Sequence, residues 1–149
     1  MKRTIGFFLT ILLFGACSST QTAGSLNYPL TTIFSAIEKE MSMGVQTYSE
    51  NHREFYSRPF IVIQADDAKE GGYRERGRAK VVVLGDSRPY NLEVEVSIER
   101  APKDEEKVDH AYRFRRYDKE LAKRLLNRIV WRVEKRVRDN NLIDDFKSF

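Results

Sequence analysis

Apolar positions along the chain recur with two periods. Between residues 73 and 84, Tyr73, Gly77, Ala79, Val81 and Val83 alternate with Arg74, Arg76, Arg78 and Lys80. Between 89 and 100, Tyr90, Leu92, Val94, Val96 and Ile98 alternate with Asn91, Glu93, Glu95, Ser97 and Glu99. Strict alternation predicts two strands, each with one apolar face. Gly85, Asp86, Ser87 and Arg88 between them have turn chemistry. A four-residue loop closing Leu84 on Pro89 sets Lys80 against Glu93, Arg78 against Glu95 and Arg74 against Glu99. The same register sets Val83 against Tyr90, Val81 against Leu92 and Ala79 against Val94, so core meets core and charge meets opposite charge.

The second period is helical. After Pro29, residues Leu30, Ile33, Phe34, Ile37 and Met41 make a stripe that Gly44 ends, which predicts a helix over 29–43. Tyr117, Leu121, Leu125, Ile129, Val133 and Val137 make a longer stripe, widened by Ala122, Leu126 and Val130. Asp118 is its N-cap, and Asn140 and Asn141 end it, giving a helix over 119–139. The tail carrying Leu142, Ile143, Phe146 and Phe149 is expected to pack back on the domain. Residues 55–63 read as a strand at an edge or bulge because of Pro59. Val108, His110, Tyr112 and Phe114 alternate with polar neighbours and predict a further strand. Residues 66–72 and 100–107 are polar loops. The fold class is therefore α+β: a two-layer sandwich, an antiparallel meander of three to four strands with an N-terminal and a C-terminal helix on one face.

The first 25 residues follow neither period. Lys2 and Arg3 precede ten weakly polar to apolar residues, 5–14, and then Gly15, Ala16 and Cys17. Ten residues are too few to span a bilayer, which takes roughly 20 in a helix. The order basic, apolar, small reads as a secretory signal peptide. Residues 13–17, Leu-Phe-Gly-Ala-Cys, resemble a bacterial lipobox, with Phe14 where Leu is usual. That resemblance implies cleavage after residue 16, a diacylglyceryl group on the Cys17 sulfur and anchoring by several acyl chains. Ser18, standing where an Asp would retain such a protein in the inner membrane, implies the periplasmic face of the outer membrane. The competing reading is an ordinary signal peptide with an incidental cysteine. The chain then divides into a signal peptide (1–16), a lipidated cysteine with a flexible tether (17–25) and one periplasmic domain (26–149).

Composition sharpens this. The 149 residues are 41% apolar and 11% aromatic, enough to build a core. One cysteine excludes an internal disulfide framework, and two histidines leave little for metal or imidazole chemistry. The formal charge of +4 loses two positive residues with the signal peptide. With an envelope address, nucleic acid is not an expected partner. His52 and His110 lack a neighbouring nucleophile signature, and Asp66, Asp67 and Glu70 do not match an EF-hand spacing. No phosphate loop, nucleophile elbow or zinc-protease motif occurs, so no enzyme activity, cofactor or metal is expected.

Charge asymmetry is the functional clue. Residues 113–138 hold 11 basic and three acidic side chains, whereas the rest of the mature chain is net acidic. At 100° per residue the stripe of the last helix centres on Ile129, and Trp131 falls opposite it, ringed by Arg124, Arg128, Lys135 and Arg138. An arginine-rich face around an exposed Trp suits an anionic, partly apolar partner, either an envelope protein surface or an anionic lipid. The plainer reading is arginine stems packed across a solvated ring. The basic ladder Arg74, Arg76, Arg78 and Lys80 has the simpler explanation of neutralisation by facing glutamates.

Element order, the lipobox and the helix-to-strand entry through Ser49, Glu50, Asn51, Ser57, Arg58, Pro59 and Phe60 resemble small envelope lipoproteins with an α-β-β-β-α core. Those of the β-barrel assembly machinery are the example. Lipopolysaccharide-assembly lipoproteins are a second resemblance, although they open the mature domain with a strand where this chain is expected to open with a helix. Both imply a non-enzymatic lipoprotein. The first implies a binding or scaffold component of an envelope assembly, the second a lipid or lipopolysaccharide carrier. An apolar pocket between sheet and helices favours the carrier; a filled core with an exposed basic–aromatic patch favours the scaffold.

Overall fold

Two long strands carry the sheet. In the computed structural model, which describes residues 20–41, 43–62, 72–105 and 109–146, β5 (Tyr73–Leu84) and β6 (Tyr90–Pro102) pair along their full length. The other strands are β1 (Gln21–Leu26), β2 (Val45–Tyr48), β3 (Glu54–Ser57), β4 (Phe60–Ile61) and β7 (Arg113–Tyr117). All pairings are antiparallel, in the order β1-β6-β5-β3-β2, with β4 also on β5 and β7 also on β6. Helices α1 (Leu30–Glu40) and α2 (Lys119–Phe146) cover one face. The expected two-layer α+β architecture is present, with seven strands among the described residues rather than three or four.

The hairpin has the expected faces in a different register. Val81 pairs with Val94, Lys80 with Glu95 and Arg76 with Glu99, two residues away from the arrangement drawn from a four-residue loop. Leu84 pairs with Asn91 and leaves Pro89, which has no N–H to donate, outside the ladder. A two-residue slip preserves parity, so every side chain keeps its face. Val81, Leu92, Val94, Val96 and Ile98 are at most 1% exposed, and from the helices Ile33, Ile37, Ile129 and Val133 close the same core. Phe34 of α1 meets Phe55 of β3 edge-on, with ring centroids 5.2 Å apart.

Several boundaries differ, among them the end of α1 at Glu40 and of β6 at Pro102, inside the stretch expected as a loop. The domain opens with a strand, because residues 21–25, expected in the flexible tether from their small polar composition, pair with β6 together with Leu26. The stretch 55–63 is broken at Arg58 and Pro59 into β3 and β4. His110 lies in a short exposed 3₁₀ turn (Asp109–Ala111) instead of facing inward from a strand. Helix α2 starts as expected, with the Leu121 N–H donating to Asp118 Oδ1 at 2.9 Å, but runs through Asn140 and Asn141 to Phe146. Asn costs little helix propensity, and nothing at that point forces a stop. The signal peptide, Cys17, most of the loop 66–72 and the tail side chains lie outside the described residues.

Two features close the sandwich near the start of β5. Glu75, on the helix-facing side of β5 with a side chain 1% exposed, accepts hydrogen bonds from Arg100, Arg115 and Arg116. Phe60 of β4 lies across Gly77 of β5, where an added Cβ would sit 2.4 Å from the ring. Gly77→Ala is therefore expected to cost about 1–3 kcal/mol as overpacking, read as a lower midpoint in thermal or urea unfolding. Wild-type stability in that variant would mean the ring moves aside freely.

Candidate functional site

The outer face of the sheet is charge-balanced. Arg76 pairs with Glu99 at 2.6 Å and with Asp109, Arg78 with Glu99 at 3.3 Å, and Lys80 with Glu54 at 3.1 Å. The Arg76 guanidinium also stacks 3.8 Å from the Tyr112 ring centroid. Hydrogen bonding to Glu54 raises the Lys80 pKa, and the Arg76 guanidinium lowers that of Asp109. These basic side chains are spent on neighbouring carboxylates, partly supplied by β3 and the 3₁₀ turn instead of the facing strand.

The outward face of α2 carries the exposed ring. Trp131 is 51% exposed, and the Lys135 ammonium lies 5.2 Å from its ring centroid. Arg124 and Arg138 are exposed on the same side of the helix. Arg128, assigned to that set by its angle, is held elsewhere. Its Nη2 and Nε donate to Glu40 Oε2 of α1 at 2.6 and 2.7 Å. Arg132 donates to the other carboxylate oxygen of Glu40, and Arg136 Nη1 donates to Ser35 Oγ at 2.6 Å. Residues 128, 132 and 136 thus form a four-residue-spaced row along the seam with α1. The Glu40 side chain is 4% exposed. Burial alone pushes its carboxyl up, but the hydrogen bonds and charges of Arg132 and Arg128 outweigh burial and hold it below the ordinary value.

Two concavities flank this seam. The first, of about 340 Å³, lies between α1 and α2 and is lined by Ser35, Ala36, Lys39, Arg132, Lys135, Arg136 and Asp139, a basic surface continuous with Trp131 through Lys135. The second, also about 340 Å³, lies between the sheet and the first half of α2. Met41, Phe60, Ile61, Val62, Leu121 and Leu125 give it apolar walls, and Arg124 and Arg128 stand on its lining with Glu40 and Ser57. Its size is at the lower end for small-molecule sites. Ile61 is 76% exposed beside it.

Helical angle alone placed Trp131, Lys135, Arg124 and Arg138 together. It missed Arg132, Arg136 and Lys39, and it missed the apolar cleft, whose walls come from β4 and α2. Glu40 carried a signal: a carboxylate three residues after Ile37, inside an apolar stripe, implies a buried partner. His52 is exposed in the turn before β3. Among the described residues no three His, Cys, Asp or Glu side chains are grouped to hold a metal, and no helix is long and apolar enough to cross a membrane. No protein-family model matches the chain, and no curated protein matches it at a significant level.

Proposed function

We propose that this protein is a lipid-anchored envelope protein, held through Cys17 at the periplasmic face of the outer membrane, that serves as a non-enzymatic binding or scaffold component of an envelope assembly. The observation that carries this reading is the half-exposed Trp131 with Lys135 over its ring, beside a groove lined by Lys39, Arg132 and Arg136. An exposed indole among cations fits a partner that is anionic and partly apolar. Arg128 is removed from this surface, since its charge is used on Glu40.

The test is crosslinking in intact cells from a photoreactive residue next to Trp131, with identification of what is captured. Arg124, Lys135 and Arg138 replaced together by Gln should leave unfolding unchanged, since these positions are exposed and Gln keeps the stem and helix propensity. Capture should weaken in that variant, and wild-type capture should fall as salt rises. Trp131→Ala should also weaken capture, with little salt dependence, because its contact is apolar. Capture unchanged by both would sink the assignment of this face.

A second reading, a carrier for an amphiphile with an acyl chain, is favoured by the apolar cleft with Arg124 at its lining. The strand-first order also removes the difference from the lipopolysaccharide-assembly lipoproteins noted above. A carrier would hold amphiphile in native mass spectra of the purified protein, and Leu125→Trp, which fills the cleft, would release it. No bound amphiphile in the wild type would exclude this reading.

A further inference from the structure

The point where the chain enters the sheet determines which side of the domain lies nearest an acylated Cys17. β5 occupies one edge of β6 along its whole length, so β1 and β7 lie end to end on the other edge. Gln21 pairs with Val94 and Tyr117 with Ser97, three β6 residues apart, or about 10 Å. Cys17 precedes Gln21 by four residues, at most about 14 Å of extended chain. Thr20 shares a shallow depression with Lys80, Val82, Glu93 and Glu95, residues of the outer sheet face. At Thr20 the chain therefore lies on that outer face, beside β7, with Cys17 within reach of it.

β7 is built for an apolar surface there. The register shifts between Ile98 and Glu99, so residues 115 and 116 both turn inward to Glu75. Phe114 and Tyr117 are left together on the outer face, 58% and 45% exposed, with ring centroids 4.9 Å apart. The nearest carboxylates are otherwise engaged: Glu99, opposite Phe114, pairs with Arg76 and Arg78, and Asp118 caps α2. An exposed Phe–Tyr pair, its rings tilted against each other, is the chemistry of the headgroup–acyl boundary.

We infer that the outer face of β7, led by Phe114 and Tyr117, is seated in the headgroup region of the same bilayer that holds Cys17. The helices cover the opposite face of the sheet, so this seating turns Trp131 away from the membrane and toward soluble partners. The inference rests on the reading of Cys17 as the acylated residue. The contact is made by two aromatic rings, so it is apolar rather than electrostatic and should persist at high salt.

The test uses the full acylated protein in phosphatidylethanolamine–phosphatidylglycerol vesicles containing bromine-labelled phosphatidylcholine. Phe114→Trp and, separately, Tyr117→Trp are made with Trp131→Phe, so that each variant carries one indole. The mass of the N-terminal peptide reports acylation independently. In both variants the indole emission should shift to the blue and lose most of its intensity to the bromolipid, unchanged by salt. Trp131 in the wild type should be quenched little. Acylated, vesicle-bound protein with unquenched indoles at 114 and 117 would overturn the seating and leave the lipoprotein reading intact. Quenching of Trp131 in their place would overturn it by putting the α2 face on the membrane. A peptide without acyl groups would overturn both readings.

Discussion

Val94→Asp is expected to leave the domain unfolded in buffer at room temperature. Val94 is fully buried, paired on one side with Val81 and on the other with Gln21. A carboxylate there has no partner in the apolar layer. Its burial costs several kcal/mol, a large share of the ~5–15 kcal/mol that holds a small domain together. The neighbouring Glu95→Gln is the control. Glu95 stands on the outer face of the same strand, where removal of one charge costs about 1 kcal/mol or less. Circular dichroism followed through urea should give a cooperative transition for Glu95→Gln and none for Val94→Asp. Equal losses in the two variants would mean that the sides of β6 are misassigned.

These two positions also illustrate what was legible in the sequence. The faces of β5 and β6 follow from strict alternation, and a register slip of two residues leaves them untouched. The start and core face of α2 follow from Asp118 and a stripe sustained over five turns. β1 and β2 were invisible for the opposite reason. Their residues, Gln21–Leu26 and Val45–Tyr48, are mostly small or polar and leave most side chains outside the core. They are strands because β6 and β3 offer backbone partners, which no local pattern reports. A strand was expected from Val108 with His110 and Phe114 on its inward side; β7 starts at Arg113 instead, and its bulge leaves Phe114 and Tyr117 together on the outer face. At the candidate site, Trp131 and Lys135 were legible because both belong to one helix. Arg128 was misplaced because Glu40, 88 residues earlier, draws it to the seam.

Glu40 is expected to show an asymmetry that a surface ion pair would not. Its carboxylate is buried, whereas the side chains of Arg128 and Arg132 are 58% and 39% exposed. Removing both arginines, as Arg128→Ala with Arg132→Ala, leaves a buried charge without its partners and should cost about 3–5 kcal/mol. Glu40→Gln keeps an acceptor in place and leaves two arginines with access to water, so it should cost only about 1 kcal/mol. Adding Glu40→Leu to the arginine double variant should recover much of the loss, because the stranded charge is then gone. Acid provides an independent reading. The folded protein holds the Glu40 carboxyl below its ordinary value of 4.5, so as pH falls the unfolded chain takes up this proton first. The stability contributed by Glu40 is complete above that ordinary value and is lost as pH falls through it and through the lower folded value. Asp109 and Glu54, whose carboxyls are also lowered, titrate in the same direction, so the wild type alone does not isolate Glu40. The difference between wild type and Glu40→Gln does: their unfolding free energies should be furthest apart near neutral pH and converge in acid. A gap that stays constant down through the carboxylate range would show that Glu40 holds α1 to α2 by shape rather than by charge.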